Sequence, residues 1–191
     1  MGELRFGFAG LSVPRFLSCL SPPMLLYCPQ RKPLRTGEGA EMDETIIRQA
    51  DEAEYPRILA LQTEVFCGEQ DIPAEIIASF LSNEPICWVA ERDGRIVGSI
   101  AAWTENGETH LGRFAVIPEL RGHGIGKRLL KHAAQELFRG GTETLYAEAR
   151  DSAAKMVRAM GGRDTGAPFP FYRGNVTPLV LEKAAFDPDK Q

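Results

Sequence analysis

The chain of 191 residues is 43% hydrophobic and 25% charged, a composition typical of one globular domain. Its formal net charge of −4 argues against a general nucleic-acid-binding protein, because binding phosphates requires a concentrated lysine and arginine surface and the chain has no such block. The four cysteines, Cys19, Cys28, Cys67 and Cys87, lie far apart with no histidine at metal-ligand spacing. We therefore expect reduced thiols, no metal and a cytoplasmic location.

Residues 1–41 differ from the rest of the chain. They carry five prolines, no sustained periodicity, and five lysines and arginines against three glutamates. Their apolar stretches are too short to cross a bilayer, and no later segment is long enough, so we expect no membrane partner. We interpret residues 1–41 as a leader that is either disordered or the product of a misassigned start, with a targeting segment as the alternative. The domain itself is predicted at residues 42–187.

The chain combines predicted strands and helices, and Asp93-Gly94 and Asn106-Gly107 mark two tight turns within an antiparallel meander of strands. Strands are predicted at 44–49, 86–90, 95–103, 109–116, 144–149, 169–173 and 177–184. Helices are predicted at 54–66, 74–82, 124–139 and 152–160. The pattern indicates a mixed α/β fold with a mainly antiparallel central sheet flanked by helices.

The most informative stretch runs from Phe114 to Leu130, where a strand and a proline lead to three alternate glycines that open an amphipathic helix. Free N–H groups at a helix N-terminus attract anions, and glycine lets the backbone approach a phosphate closely. The stretch indicates an anion site. The alternative is that the glycine-rich turn serves only to connect the strand to the helix. Lys127 is followed by Arg128, which excludes a Walker A loop. A dinucleotide fingerprint would need a glycine at 127 and a parallel β-α-β unit at the start of the sheet.

In order and spacing, residues 111–130 resemble the acetyl-CoA signature of the GNAT N-acetyltransferase superfamily: an apolar-Ala-Val strand end, a proline, then Arg-x-x-Gly-x-Gly. The resemblance implies the GNAT acyl-CoA N-acyltransferase fold over about residues 44–184. It also implies that the backbone of Phe114, Ala115 and Val116 pairs with the pantetheine arm of acetyl-CoA. The pyrophosphate would be held by the loop that opens the helix, which comprises Arg121, Gly122, His123, Gly124, Ile125, Gly126 and Lys127.

A narrower likeness is to the ElaA-like branch of that superfamily. The segment Val65-Phe66-Cys67-Gly68-Glu69-Gln70-Asp71-Ile72-Pro73 is similar to the branch's V-F-x-x-E-Q-x-x-P. Thr177-Pro178-Leu179 stands where the branch usually has a Pro-His pair, so that histidine is missing here. The branch therefore does not identify a substrate for this chain.

Acetyl transfer to an amine needs a base for the amine, stabilisation of the oxyanion and a proton for the departing thiolate. Deprotonating a lysine-like amine at pH 7 costs about 4 to 5 kcal/mol, whereas releasing a thiolate costs about 2 kcal/mol. The base therefore matters more than the acid. The candidate bases are Glu148 on the 144–149 strand, Glu69 and His110, each of which could instead be a solvated surface group.

The resemblance also bears on the acid, because GNAT proteins often supply it from a tyrosine where this chain has Val157. Tyr172 is the candidate to replace it, and unassisted departure of the thiolate is the alternative. A backbone N–H of the Val116 strand would stabilise the oxyanion. We predict an N-acetyltransferase that moves an acetyl group from acetyl-CoA to a primary amine of a small molecule or a peptide or protein, with a homodimer as a candidate assembly. A catalytically silent acyl-CoA-binding or sensing domain is the alternative, and a purely structural domain ranks third.

Overall fold

The computed structural model describes residues 45–189, so the predicted leader at 1–41 lies outside the described residues. The helices are α1 (Tyr55–Gln70), α2 (Ala74–Ala78), α3 (Ile125–Arg139) and α4 (Asp151–Ala159). The strands are β1 (Ile46–Gln49), β2 (Ile86–Arg92), β3 (Arg95–Glu105), β4 (Glu108–Val116), β5 (Thr144–Ala149), β6 (Arg163–Asp164), β7 (Phe169–Pro170) and β8 (Asn175–Glu182). Short 3-10 turns cover 52–54, 79–83, 118–120 and 183–185.

The strands form one sheet in the order β1-β2-β3-β4-β5-β8-β6, with β7 paired to β8. Every pairing is antiparallel except that of β4 with β5, which are joined through α3. This parallel pair is short, because only Thr109 with Leu145 and His110 with Tyr146 are in register. Beyond His110 and Tyr146 the two strands separate, which leaves a gap in the middle of the sheet.

Helices cover both faces of the sheet. On the face that we call the α1 face, Phe66 of α1 and Ile77 of α2 belong to one buried cluster with strand residues such as Ala101. On the opposite α3 face, residues of α3 and α4 are buried against Leu111 and Leu145. The six residues predicted to form the apolar face of α3 are all buried: Ile125, Leu129, Leu130, Ala133, Leu137 and Phe138. The predicted mixed, mainly antiparallel α/β fold is confirmed.

The ends of some helices and strands differ from the predictions, because the hydrophobic pattern does not mark them. The first helix continues through Gly68 to Gln70 rather than stopping at residue 66, and it ends where Asp71 turns left-handed at φ 56° ahead of Pro73. The second helix is α-helical only at Ala74–Ala78 and then tightens into a 3-10 turn. The predicted strand at 169–173 is wrong beyond Pro170, since Phe171 to Gly174 form a turn.

Three other features concern residues 45–189. No helix in that range is long and apolar enough to cross a membrane. Within the same range, no cluster of histidine, cysteine, aspartate and glutamate is arranged to hold a metal ion. Cys67 and Cys87 are free thiols.

Candidate active site

The gap between β4 and β5 exposes the backbone edge of β4. The N–H of Ile117 donates to the carbonyl of Val97 on β3 at 3.0 Å. Bonded and non-bonded residue pairs alternate in an antiparallel ladder, so the neighbouring pair Val116–Gly98 is non-bonded and the N–H of Val116 points away from β3. The end of β4 therefore directs the N–H of Val116 into the gap, whereas the backbone N–H of Ala115 points towards β3.

The loop that follows β4 presents a second set of free donors. Gly122 and Gly124 have φ values of 80° and 77°, a left-handed conformation that glycine adopts without strain. None of the described residues accepts a hydrogen bond from the N–H groups of residues 122–127. A carbon at the Cβ position of Gly122 or Gly124 would meet no atom within 4 Å, so the space beside the loop is open. Such a loop fits an anion, because its donors and the positive end of α3 converge there.

Gly126 is needed for a different reason. A Cβ at this position would lie 2.9 Å from Cζ of Phe114 and 3.8 Å from Cε of Met156. The first turn of α3 therefore packs directly on the Phe114 ring at the end of β4. This contact fixes the loop relative to the gap.

Arg121 ties the loop to two other parts of the chain. Its Nε donates to the carbonyl of Val116 at 2.9 Å. Its two terminal nitrogens donate to both carboxylate oxygens of Glu69, at 2.9 and 2.8 Å. The carbonyl of Arg121 also accepts a hydrogen bond at 2.9 Å from Nδ1 of His123, which must therefore carry the proton. Glu69, predicted as a candidate base, is thus placed in a bidentate ion pair at the loop before α3.

On the α1 face, a row of rings crosses the sheet where β4 and β5 begin to separate. Trp103 stacks on His110 with centroids 5.5 Å apart, and His110 meets Tyr146 at 5.9 Å. Phe80 packs edge-on against Trp103 at 5.3 Å. Since side chains two residues apart share a strand face, Glu148 lies on the same face as Tyr146, just beyond the last β4–β5 pair. The side chain of Glu148 is exposed.

The predicted site residues therefore fall into separate groups. Glu148 and His110 border the gap on the α1 face, and the residues of the loop lie at the N-terminus of α3. Tyr172 sits in the turn between β7 and β8 with its side chain half exposed. Glu69 belongs with the loop rather than with Glu148.

Residues 41–161 match the sequence profile of the Acetyltransferase (GNAT) family. The chain belongs to this family. An uncharacterized N-acetyltransferase of Methanocaldococcus jannaschii is 34% identical over 143 residues, covering 72% of this chain and 90% of the relative. Together the family and this relative identify the chain as an acyltransferase of the N-acetyltransferase type.

Solved structures agree on the fold. Escherichia coli ElaA superposes with a TM-score of 0.64 at 15% identity, covering 73% of this chain and all of ElaA (100%). An aminoglycoside 6'-N-acetyltransferase solved with coenzyme A gives a TM-score of 0.58 at 18% identity, covering 72% of this chain and 96% of that one. Identities this low show the GNAT fold alone.

One feature of this GNAT domain escaped the sequence analysis: a buried polar contact beneath a bulge in β4. The bulge interrupts the β3–β4 register, and Arg113 within it has φ 54°. Nε2 of the fully buried Gln62 lies 3.3 Å from the Arg113 carbonyl and 3.3 Å from Oγ of Ser99. A lone glutamine among the apolar residues of α1 is the signal that could have indicated such a contact.

The Arg113 side chain connects the same bulge to α2. Its Nη2 donates to the carbonyls of Ile76 and Ile77 at 3.1 and 2.7 Å, and its guanidinium lies 4.3 Å from the centre of the Phe80 ring. Burial lowers the pKa of Arg113 to about 10, so the guanidinium remains charged at neutral pH. The helix beside the ring row is therefore held to β4, the strand that lines the gap.

The sequence resemblance aligns Val157 with a tyrosine of many GNAT proteins. The side chain of Val157 is buried on the α3 face. A Cβ on Gly162 would lie 2.5 Å from Cγ1 of Val157, so Val157 packs directly against Gly162. Met156, its neighbour, is instead the α4 residue that approaches Gly126.

Proposed function

We propose that the protein transfers the acetyl group of acetyl-CoA to a primary amine of a small molecule, peptide or protein by direct attack. One observation carries the proposal: the gap between β4 and β5 has unpaired N–H donors at the α3 end and a carboxylate and an imidazole on the α1 face. A phosphate-bearing thioester and an amine can then approach from opposite faces and meet in the gap.

The donor side of the gap fits acetyl-CoA. The free N–H groups of residues 122–127 and the open space beside Gly122 and Gly124 suit its pyrophosphate. The edge of β4 offers the N–H of Val116 to the thioester carbonyl, where it would stabilise the negative charge that develops on that oxygen. The arginine of the loop contributes little net charge, since Glu69 neutralises Arg121.

Glu148 is the proposed general base, with His110 as the second candidate. In direct attack, the amine nitrogen forms a bond to the thioester carbon, the carbon–sulfur bond breaks, and the base removes a proton from the nitrogen. The sulfur leaves as a thiolate that takes a proton from water or from Tyr172. A base at Glu148 agrees with its exposed position on the α1 face beside the gap.

Release of CoA thiol from acetyl-CoA tests the proposal. The purified protein would be assayed against polyamines, amino acids, aminoglycosides and peptides, with Gly124→Glu as the cofactor-loop control. We expect amine-dependent thiol release that Gly124→Glu lowers at subsaturating acetyl-CoA and that Glu148→Gln reduces while acetyl-CoA still binds. Release that is independent of any amine would contradict the proposal.

A silent acyl-CoA-binding or sensing domain is the second candidate, because buried Val157 removes the usual acid. Tight acetyl-CoA binding without turnover on any amine would favour it.

The proposed setting is the cytoplasm, in agreement with the free thiols Cys67 and Cys87. Sedimentation of the purified chain tests the proposed homodimer.

A further inference from the structure

The turn between β7 and β8 has a conformation that needs external support. The N–H of Phe171 donates to the carbonyl of Gly174 at 2.9 Å, and the N–H of Gly174 donates to the carbonyl of Tyr172 at 3.1 Å. Tyr172 has φ 45°, which is unfavourable for a residue with a bulky side chain. Its side chain is 49% exposed, so burial of its own ring does not hold it there.

The side chain of Arg150 supplies that support. Its Nη1 donates to the carbonyl of Arg173 at 3.0 Å and to that of Asn175 at 3.4 Å, and its Nη2 donates to the carbonyl of Phe171 at 3.0 Å. A Cβ on Gly174 would lie 3.0 Å from Nη1, so glycine permits this approach. One guanidinium therefore binds two carbonyls of the turn and the carbonyl of Asn175, the first residue of β8.

Gln70, the last residue of α1, completes the support. Its Oε1 accepts a hydrogen bond from Nε of Arg150 at 3.1 Å, and its carbonyl accepts one from the N–H of Arg173 at 3.2 Å. The preceding residue, Glu69, binds Arg121 of the cofactor loop. Two consecutive residues of α1 therefore hold two different walls of the site.

We propose that the end of α1 is a divided anchor, in which Glu69 positions the cofactor loop through Arg121 while Gln70 and Arg150 position the 171–174 turn, and that the amine binds beside this turn. The inference rests on the proposed function and adds which residue positions the wall for acetyl-CoA and which positions the wall for the amine. It also assigns Glu69 a positioning role in place of a general base, because both of its oxygens are already occupied by Arg121.

The variants Glu69→Gln and Gln70→Met form a matched pair of similar size in the same helical turn. Glu69 and Arg121 are about two-fifths exposed, so we expect Glu69→Gln to weaken acetyl-CoA binding only about 2- to 5-fold. Gln70→Met removes an acceptor from a charged donor and should raise the KM for the amine by about tenfold, with acetyl-CoA affinity unchanged. Arg150→Lys should resemble Gln70→Met, and millimolar guanidinium should partly restore Arg150→Ala.

Titration calorimetry with acetyl-CoA, steady-state kinetics with the amine, and hydrogen–deuterium exchange make up the test. Exchange should accelerate at 171–175 in Gln70→Met and not at 121–127. If both variants affect both substrates equally, or if Gln70→Met leaves exchange at 171–175 unchanged, the divided anchor is wrong. A fall in kcat of about 100-fold or more in Glu69→Gln at saturating substrates would restore Glu69 as a base. If the wild-type chain acetylates no amine, the proposed function fails. Hydrogen–deuterium exchange and acetyl-CoA affinity then still show whether the two residues position separate segments.

Discussion

A single charge placed at Gly124 tests whether the loop before α3 binds the pyrophosphate. Gly124→Glu and Gly124→Gln both force a side chain into the left-handed conformation at φ 77°, which costs about 1 to 2 kcal/mol in each. Neither side chain meets an atom within 4 Å at its Cβ, so neither variant should be blocked by a clash. The two variants then differ only in the charge that they place where the loop N–H groups converge.

The size of that difference follows from Coulomb's law. A carboxylate about 6 Å from a phosphate charge is repelled by about 3 kcal/mol at an effective dielectric of about 20, and by about 0.7 kcal/mol if the exposed loop is fully hydrated. The Kd for acetyl-CoA should therefore be about 3- to 100-fold higher in Gly124→Glu than in Gly124→Gln. Higher salt should reduce this difference in Kd between the two variants, because it screens charges at an exposed site.

Titration calorimetry at low and high ionic strength measures both effects, and thermal unfolding checks that the two variants are equally stable. Equal acetyl-CoA affinities for Gly124→Glu and Gly124→Gln at low salt would show that the pyrophosphate lies elsewhere. If salt does not change the difference in Kd, the shape of the side chain rather than its charge weakens binding.

Three further predictions concern stability and chain length. Gln62→Leu leaves the Arg113 carbonyl and the Ser99 hydroxyl without this donor, so urea unfolding should show a loss of about 1 to 3 kcal/mol, with a smaller loss for Ser99→Ala. Hydrogen bonds from Arg48 lower the pKa of Glu54 to about 2. The ion pair therefore stabilises the fold above the ordinary pKa of glutamate, and this stabilisation is lost as the pH falls towards 2. Glu54→Gln should show a flatter acid-unfolding profile. A chain that starts at Met42 should fold and bind acetyl-CoA like the full chain, and loss of binding would refute the leader interpretation.

The sequence predicts those parts of the fold whose causes are local. The left-handed turns at Asp93-Gly94 and Asn106-Gly107 each follow from a two-residue signal, and the α3 helix follows from its apolar spacing. The loop glycines are recognisable for the same reason. Each of these features depends on residues that are neighbours in the chain.

Contacts between distant residues could not be predicted in this way. Glu69 and Arg121 are 52 positions apart, and only the fold shows that the end of α1 meets the loop before α3. The sequence predicts Trp103 only as a strand residue, yet Trp103 stacks on His110, its partner in the β3–β4 ladder. The aromatic residues of the 171–174 turn favour a strand, whereas the turn is stabilised by the guanidinium of Arg150, which lies 21 positions before Phe171 in the chain.

Val157 bears on the choice between an enzyme and a silent domain. A thiol with a pKa near 8.5 leaves unassisted at pH 7 at a cost of about 2 kcal/mol, or roughly 30-fold in rate, so a site without an acid can still turn over if it keeps a base. Glu148 and His110 are the bases proposed for this site, and both border the gap. We therefore expect Tyr172→Phe to change kcat by no more than about twofold and Glu148→Gln to lower it by about 100-fold or more. A large loss in Tyr172→Phe with unchanged exchange at 171–175 would instead identify Tyr172 as the acid.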